Sequence, residues 1–191
     1  LSHPAILPKV PVTYLGPLSR FKKRDVESKY DLCIILSGPE PQRTIFEKII
    51  LQDLNKAEGK VCLVRGLPSE TEVPRLNNSS IEIKNHLAAE ELNNVMLQSK
   101  IIISRCGYST VMDLVNLQKK AILIPTPGQT EQEYLGGYLQ EQKIFYGVDQ
   151  NSFSLPEVLK SAAAFEFNTA SFTVNDYENV VENFVATLRH Q

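Results

Sequence analysis

From Asp31 nearly to its end, the chain alternates short apolar runs with stretches in which apolar residues recur every three or four positions. Short runs of β-branched and aliphatic residues mark strands buried on both faces, and the three-to-four spacing marks helices with one buried side. The runs predict strands at Leu32 to Leu36, Val61 to Val64, Ile81 to Ile83, Ile101 to Ser104, Ala121 to Ile124 and Ile144 to Val148. Between the first two, Ile45, Phe46, Ile49, Ile50 and Leu54 share one helical face, which predicts a helix from about Gln42 to Ala57. Ala88, Ala89, Leu92, Val95 and Met96 predict a second helix, Met112 to Leu117 a third, and the segment after Thr130 a fourth. The sharpest amphipathic stripe is formed by Tyr177, Val180, Val181, Phe184, Val185 and Leu188, so the chain is expected to end in a helix.

Strands alternating with helices imply βαβ units, and right-handed crossovers between parallel strands put helices on both faces of one sheet. The expected fold is therefore α/β: a doubly wound, Rossmann-like parallel sheet of about six strands. All strand-to-helix loops then emerge at the carboxyl edge, where ligand chemistry should sit. Pro4, Pro8, Pro11 and Pro17 break up the first thirty residues, so 1–30 is expected to be a linker and 31–191 the domain.

Composition narrows the function classes. Twenty Lys and Arg against 22 Asp and Glu give a net charge of -2, which supplies no field for nucleic acid. The one basic run, Arg20 to Arg24, is followed by Asp25 and Glu27 and reads first as a solvated link, with a membrane-surface or partner contact as the other reading. Cys33, Cys62 and Cys106 are odd in number and widely spaced, the usage of a reduced compartment. No apolar run is long enough to span a bilayer, and the early prolines interrupt any signal peptide. A cytoplasmic protein is expected. Residue 1 is Leu, so a fragment of a longer chain is also expected.

Several chemistries lack their motifs. There is no G-x-G fingerprint for a dinucleotide, no P-loop and no G-x-S-x-G elbow. His3, His86 and His190 have no helical spacing to one another and no C-x-x-C occurs, so no zinc site is expected. No two aspartates stand two residues apart, which leaves no D-x-D pair for metal-dependent sugar transfer. No cofactor is expected.

Four loops carry the candidate chemistry. After the first strand, Ser37-Gly38-Pro39-Glu40-Pro41 leads into a helix, a small-residue turn where backbone N–H groups and a helix terminus can meet an anion, or a plain turn. After the fourth strand, Ser104-Arg105-Cys106-Gly107-Tyr108-Ser109-Thr110-Val111-Met112-Asp113 is the most specific stretch. Gly107 permits close approach before a helix, Ser109 or Thr110 can cap it, and Asp113 is expected in its first turn, able to accept both hydroxyls of a ribose or to close a capping box with Thr110. After the fifth strand, Pro125 to Tyr134 is dense in hydrogen-bonding groups suited to a polyhydroxylated ligand. There Glu133 is also placed for a capping box with Thr130, a reading that Gln132 lacks. His86 and Leu87 follow the third strand and sit at the same edge, framing a base or merely solvated.

These residues resemble a family. The stretch Ser104-Arg105-Cys106-Gly107 through Thr110-Val111 to Asp113, and next Pro125 to Tyr134, are similar to the carboxyl-terminal nucleotide-sugar domain of GT-B glycosyltransferases, family 28, which includes the peptidoglycan lipid-linked N-acetylglucosaminyltransferase. The likeness runs from about Val12 to Leu188, so the chain would be one half of a GT-B fold. The resemblance implies a UDP-sugar donor, UDP-N-acetylglucosamine foremost. It implies Ser37 and Gly38 at the diphosphate, Asp113 at the ribose, Gln132 and Glu133 at the sugar hydroxyls, and His86 and Leu87 at the uracil. Arg105 and Gly107 belong to the same binding set, with Arg105 assisting the leaving group or held in an ion pair. This chain differs from the family's common pattern in having Ser37-Gly38-Pro39 for a Gly-Gly-Ser run, Asp113 for Glu, and Glu133 for the second Gln.

In that family the acceptor site and the base lie on an amino-terminal domain. The resemblance therefore implies a metal-independent hexosyltransferase half that binds its donor but does not transfer the sugar alone. It needs an amino-terminal domain or partner subunit, and the full-length enzyme would touch the membrane peripherally. The alternatives are a soluble donor-binding subunit of a two-chain transferase, a non-catalytic nucleotide-binding module, and a sugar-nucleotide epimerase.

Overall fold

The computed structural model describes residues 9–10, 12–168 and 177–188. Six parallel strands form one sheet: β1 (Tyr30–Ile35), β2 (Val61–Val64), β3 (Ile81–Lys84), β4 (Ser99–Arg105), β5 (Lys120–Ile124) and β6 (Tyr146–Gly147). Their order across the sheet is β3-β2-β1-β4-β5-β6, so the winding reverses between β1 and β4. All six predicted strands are present. β6 is shorter than its apolar run because Phe145 turns inward to the core beside Leu139, while Val148 still donates its N–H to the Leu123 carbonyl at 3.0 Å.

The alternation of side chains along each strand sorts the core into two layers. Leu32, Ile34, Ile103, Ile122 and Ile124 face α1 (Gln42–Leu54) and α5 (Leu155–Ala164). Cys33, Ile102, Ala121 and Leu123 face α2 (Ala89–Leu97), α3 (Tyr108–Asn116) and α4 (Thr130–Glu141). The first layer is keyed by Phe46 of α1, which meets Phe153 edge-to-face at 5.2 Å. α5 escapes the sequence reading above, although Ser154 before it, Pro156 at its start and buried Leu155, Val158 and Ala162 are an ordinary helix signature.

The carboxyl-terminal stripe does fold as predicted, as α6 (Tyr177–Leu188), but none of its residues is buried and Phe184 is 61% exposed. Among the described residues, no helix is long and apolar enough to cross a membrane. Cys33 and Cys62 are register partners on β1 and β2, and Cys106 follows β4. All three thiols are free and buried.

The segment before β1 is more than a link. Phe21 is 4% exposed and belongs to the core layer of α2 and α3. Asn116 of α3 donates to the Phe21 carbonyl at 2.8 Å, and Asn93 of α2 donates to the Lys22 carbonyl at 3.1 Å. The basic run is likewise engaged: Lys23 bonds Gln118, and Arg24 donates to Asn94 at 2.7 Å. Residues 18–24 form a strap over these helices.

Candidate functional site

A parallel sheet delivers the loops after β1, β3, β4 and β5 to one edge, so every candidate loop lies at the same side of the molecule. The reversal between β1 and β4 parts two of these loops and opens a crevice between them. A cleft of about 500 Å³ sits there, lined by Ile35 and Ser37 after β1, Leu92 and Met96 of α2, and Ser109, Thr110 and Asp113 of α3. Leu18, Arg20 and Phe21 of the strap close its remaining side. Ser37 and Asp113, far apart in sequence, thus share one cavity.

Each loop has a local cause. Gly38 adopts φ +104°, a left-handed conformation that turns the chain from β1 towards α1. Gly107 is different: its φ is -76°, ordinary for any residue, and an added Cβ would meet nothing nearer than Thr110 Oγ1 at 4.0 Å. The protein's own packing does not require glycine there. Gly107 is the N-cap of α3, so the first free N–H groups of that helix open towards the space a side chain would have filled.

Asp113 lies in the second turn of α3 and not in the expected first, because the helix starts at Tyr108 and not near Thr110, and the alternative capping box with Thr110 does not form. Its Oδ1 accepts a 2.6 Å hydrogen bond from the Ser19 hydroxyl. Burial raises its pKa, against the Ser19 hydrogen bond and the Arg20 charge, which lower it.

Arg105, expected beside the ligand, is 2% exposed and turned into the protein. It donates to the Gln42 carbonyl at 2.9 Å, Gln150 Oε1 at 2.6 Å and the Pro125 carbonyl at 3.3 Å, with its guanidinium 4.5 Å from the Phe46 ring centroid. Desolvation brings its pKa down to about 10, which still leaves it charged at neutral pH. One cation therefore ties the start of α1, the end of β5 and the loop after β6 to the end of β4.

Gln132 and Glu133 brace their own loop. Gln132 accepts from the Thr126 N–H at 3.0 Å and bonds Gln129, while Glu133 accepts from the Gly128 N–H at 2.9 Å. Because α4 is capped by Gln129, Glu133 reaches back to Gly128 and not to Thr130. Glu133 faces a second cleft of about 410 Å³, beside Gly137, Gln140 and Asp149, and not the cleft of Asp113. His86 is exposed, and Leu87 packs on Tyr30, Cys62 and Val64. Both follow β3, two strands out from β1, and neither lines the Asp113 cleft. The sequence reading missed Leu92, Met96 and the strap. The helical period marked the first two only as core, and Phe21 stood alone within a charged run.

Among the described residues, no group of three or more His, Cys, Asp or Glu is placed to hold a metal ion.

Comparison with known proteins bears on the whole of this architecture. The chain is 24% identical over 164 residues to the UDP-N-acetylglucosamine--N-acetylmuramyl-(pentapeptide) pyrophosphoryl-undecaprenol N-acetylglucosamine transferase of Sulfurihydrogenibium sp. (strain YO3AOP1), covering 80% of this chain and 46% of that protein. It therefore spans about half the length of the curated relative it matches. Among solved structures, Acinetobacter baumannii MurG superposes with a TM-score of 0.55 at 19% identity, over 98% of this chain and 58% of that one. The solution structure of ALG13 superposes with a TM-score of 0.57 at 13% identity, over 81% of this chain and 95% of that one. The glycosyltransferase SnogD from Streptomyces nogalater gives 0.52 at 12%, over 95% and 48%. At these identities the superpositions establish the fold, that of one half of a GT-B glycosyltransferase. Residues 32–184, most of the sequence, match the glycosyltransferase family 28 C-terminal domain, and it is to that family that the chain belongs.

Proposed function

We propose that this chain is the donor-binding half of a metal-independent glycosyltransferase, that it holds a UDP-sugar, UDP-N-acetylglucosamine foremost, and that it transfers nothing without an amino-terminal acceptor domain or partner subunit. The observation that carries the reading is the meeting of Ser37 and Asp113 in one cleft at the reversal of the sheet, where doubly wound folds bind nucleotides. In this reading the Asp113 carboxylate accepts the ribose hydroxyls. Ser37, the Gly38 turn and the open helix terminus at Gly107 hold the diphosphate. The contacts that the resemblance implies for His86 and Leu87 with the uracil, and for Gln132 and Glu133 with the sugar, fall outside this cavity and would be made only beyond its rim.

The reaction would be displacement at the anomeric carbon by the acceptor oxygen, with the C–O bond to UDP breaking as the new glycosidic bond forms. The charge left on UDP is met by amide N–H groups and the dipole of α3, fixed in advance and needing no reorganisation. Arg105 serves by holding three loops at their mutual angles. The acceptor's proton goes to a base outside this chain. The enzyme would work in the cytoplasm, peripheral to the membrane in its full-length form.

Calorimetric titration with UDP, UDP-N-acetylglucosamine and a GDP-sugar, in EDTA and again with Mg2+, tests this. UDP ligands should bind in both buffers, and Asp113→Ala should weaken them by about tenfold or more, the loss of a charge-assisted hydrogen-bond acceptor. Binding that needs Mg2+, or that ignores Asp113→Ala, overturns the reading. A second reading is a separate donor-binding subunit of a two-chain transferase. Turnover restored by a separately expressed partner, and not by a fused domain alone, would distinguish it.

A further inference from the structure

The cleft that holds Asp113 is closed on one side by chain that precedes the sheet. Leu18, Arg20 and Phe21 line it together with Ser37, Leu92 and Met96. Ser19, between them, meets α3 through its hydroxyl. It donates to Asp113 Oδ1 at 2.6 Å and accepts from the Phe21 N–H at 3.0 Å. The hydroxyl is thereby used in both directions, and its rotation about the Cβ–Oγ bond is fixed.

The strap that carries Ser19 is itself pinned. Phe21 is buried in the core layer, its carbonyl accepts from Asn116 at 2.8 Å, and the next carbonyl accepts from Asn93 at 3.1 Å. Asp113 and Asn116 are three residues apart and so lie on one face of α3, which the strap follows. Among the described residues, only Oδ1 of the Asp113 carboxylate has a protein hydrogen bond, and that group borders the cavity.

Resting on the donor-binding reading above, we infer that the strap is a wall of the nucleoside site and that Ser19 is a positioning residue: its hydroxyl fixes the Asp113 carboxylate by one oxygen so that the other is presented to the ribose. Fixing the carboxylate before the ligand arrives removes a rotation that binding would otherwise have to freeze. A donor on the carboxylate also favours its ionised form, the form that accepts from ribose hydroxyls. Among the described residues, Arg20 of the strap is the one other charged group lining the cleft. β1 and its loop contribute Ile35 and Ser37, α2 contributes Leu92 and Met96, and α3 adds Ser109 and Thr110, none of which titrates in this range.

The test is UDP binding by the whole chain, measured from about pH 4 to about pH 8 across the carboxylate range, for the unaltered protein, Ser19→Ala, Ser19→Thr and Asp113→Asn. Ser19→Ala should weaken UDP about threefold to tenfold at neutral pH, the scale of one net hydrogen bond. It should also move the acid limb of binding to higher pH, because the carboxylate then takes up its proton sooner. Ser19→Thr, which keeps the hydroxyl, should restore both. A Ser19→Ala protein with unaltered affinity and an unaltered acid limb overturns the inference and leaves the donor reading standing. So does equal weakening by Ser19→Ala and Ser19→Thr with no movement of the limb, which marks a merely structural contact. Absence of UDP binding by the unaltered chain removes both readings together.

Discussion

At the scale of single residues, Gly107 separates what the fold needs from what a ligand needs. Its backbone angle suits alanine, and the space beside it is open except for Thr110 Oγ1 at 4.0 Å. Gly107→Ala should therefore leave thermal unfolding nearly unchanged, within about 1 kcal/mol for a glycine N-cap replaced by alanine. The added methyl enters the space before the α3 terminus, so UDP affinity measured calorimetrically should fall severalfold. A large drop in melting temperature would place the need for glycine in the protein's own packing. Arg105 and Asp113 show where lettering stops being informative. Both stand in the stretch that carries the family resemblance, yet one is buried among carbonyls and the other borders the cleft. No local pattern separates them, because the carbonyls that enclose Arg105 belong to Gln42 and Pro125, remote in sequence.

At the scale of elements, side chains also tie the strands to one another across the sheet. The Tyr30 hydroxyl at the start of β1 reaches past β2 and donates to Glu82 Oε2 of β3 at 2.6 Å, while Lys84 lies 3.0 Å from Oε1 and Lys29 3.3 Å from Oε2. The Tyr30 hydroxyl first, with Lys84, holds the Glu82 carboxyl down at about 2. A depressed carboxylate stabilises the fold above its unfolded value of about 4.3 and loses that contribution as the pH falls through its folded value. Glu82→Gln should accordingly lower stability at neutral pH, by less than about 1 kcal/mol because the side chain is 38% exposed. The difference should vanish near pH 2, and urea unfolding at the two pH values measures it. The elements themselves were largely readable. Among the described residues, the six strands and five of the six helices were read from their apolar pattern, and the starts of β1 and α3 were missed by a few residues. α5 was missed although Ser154, the early Pro156 and the buried face of Leu155, Val158 and Ala162 were all in view.

At the scale of the molecule, the order β3-β2-β1-β4-β5-β6 turns a list of loops into a site. Periodicity predicts strands and a common edge for the loops after them, but not which loops are neighbours. That β1 adjoins β4 is what joins Ser37 to Asp113, while the outer position of β3 keeps His86 apart and Glu133 opens onto a different cleft. The strap was the part least visible beforehand. Its anchor is one phenylalanine among lysines and arginines, and burying it depends on a groove between α2 and α3 that exists only after folding.

The three enclosed thiols give the molecule an internal clock. No alkylating reagent can reach sulfur while the sheet is shut, and burial pushes the Cys106 thiol up to about 12, so modification at neutral pH must wait for opening. Cys33 and Cys62 face each other across β1 and β2, and their labelling times the parting of the central strands. Cys106 sits one step before Gly107 and times the loosening of the β4 terminus alone. Saturating UDP should retard iodoacetamide uptake at Cys106, read by peptide mass spectrometry, more than at the other two. Equal retardation at all three would mean that this edge opens only when everything does.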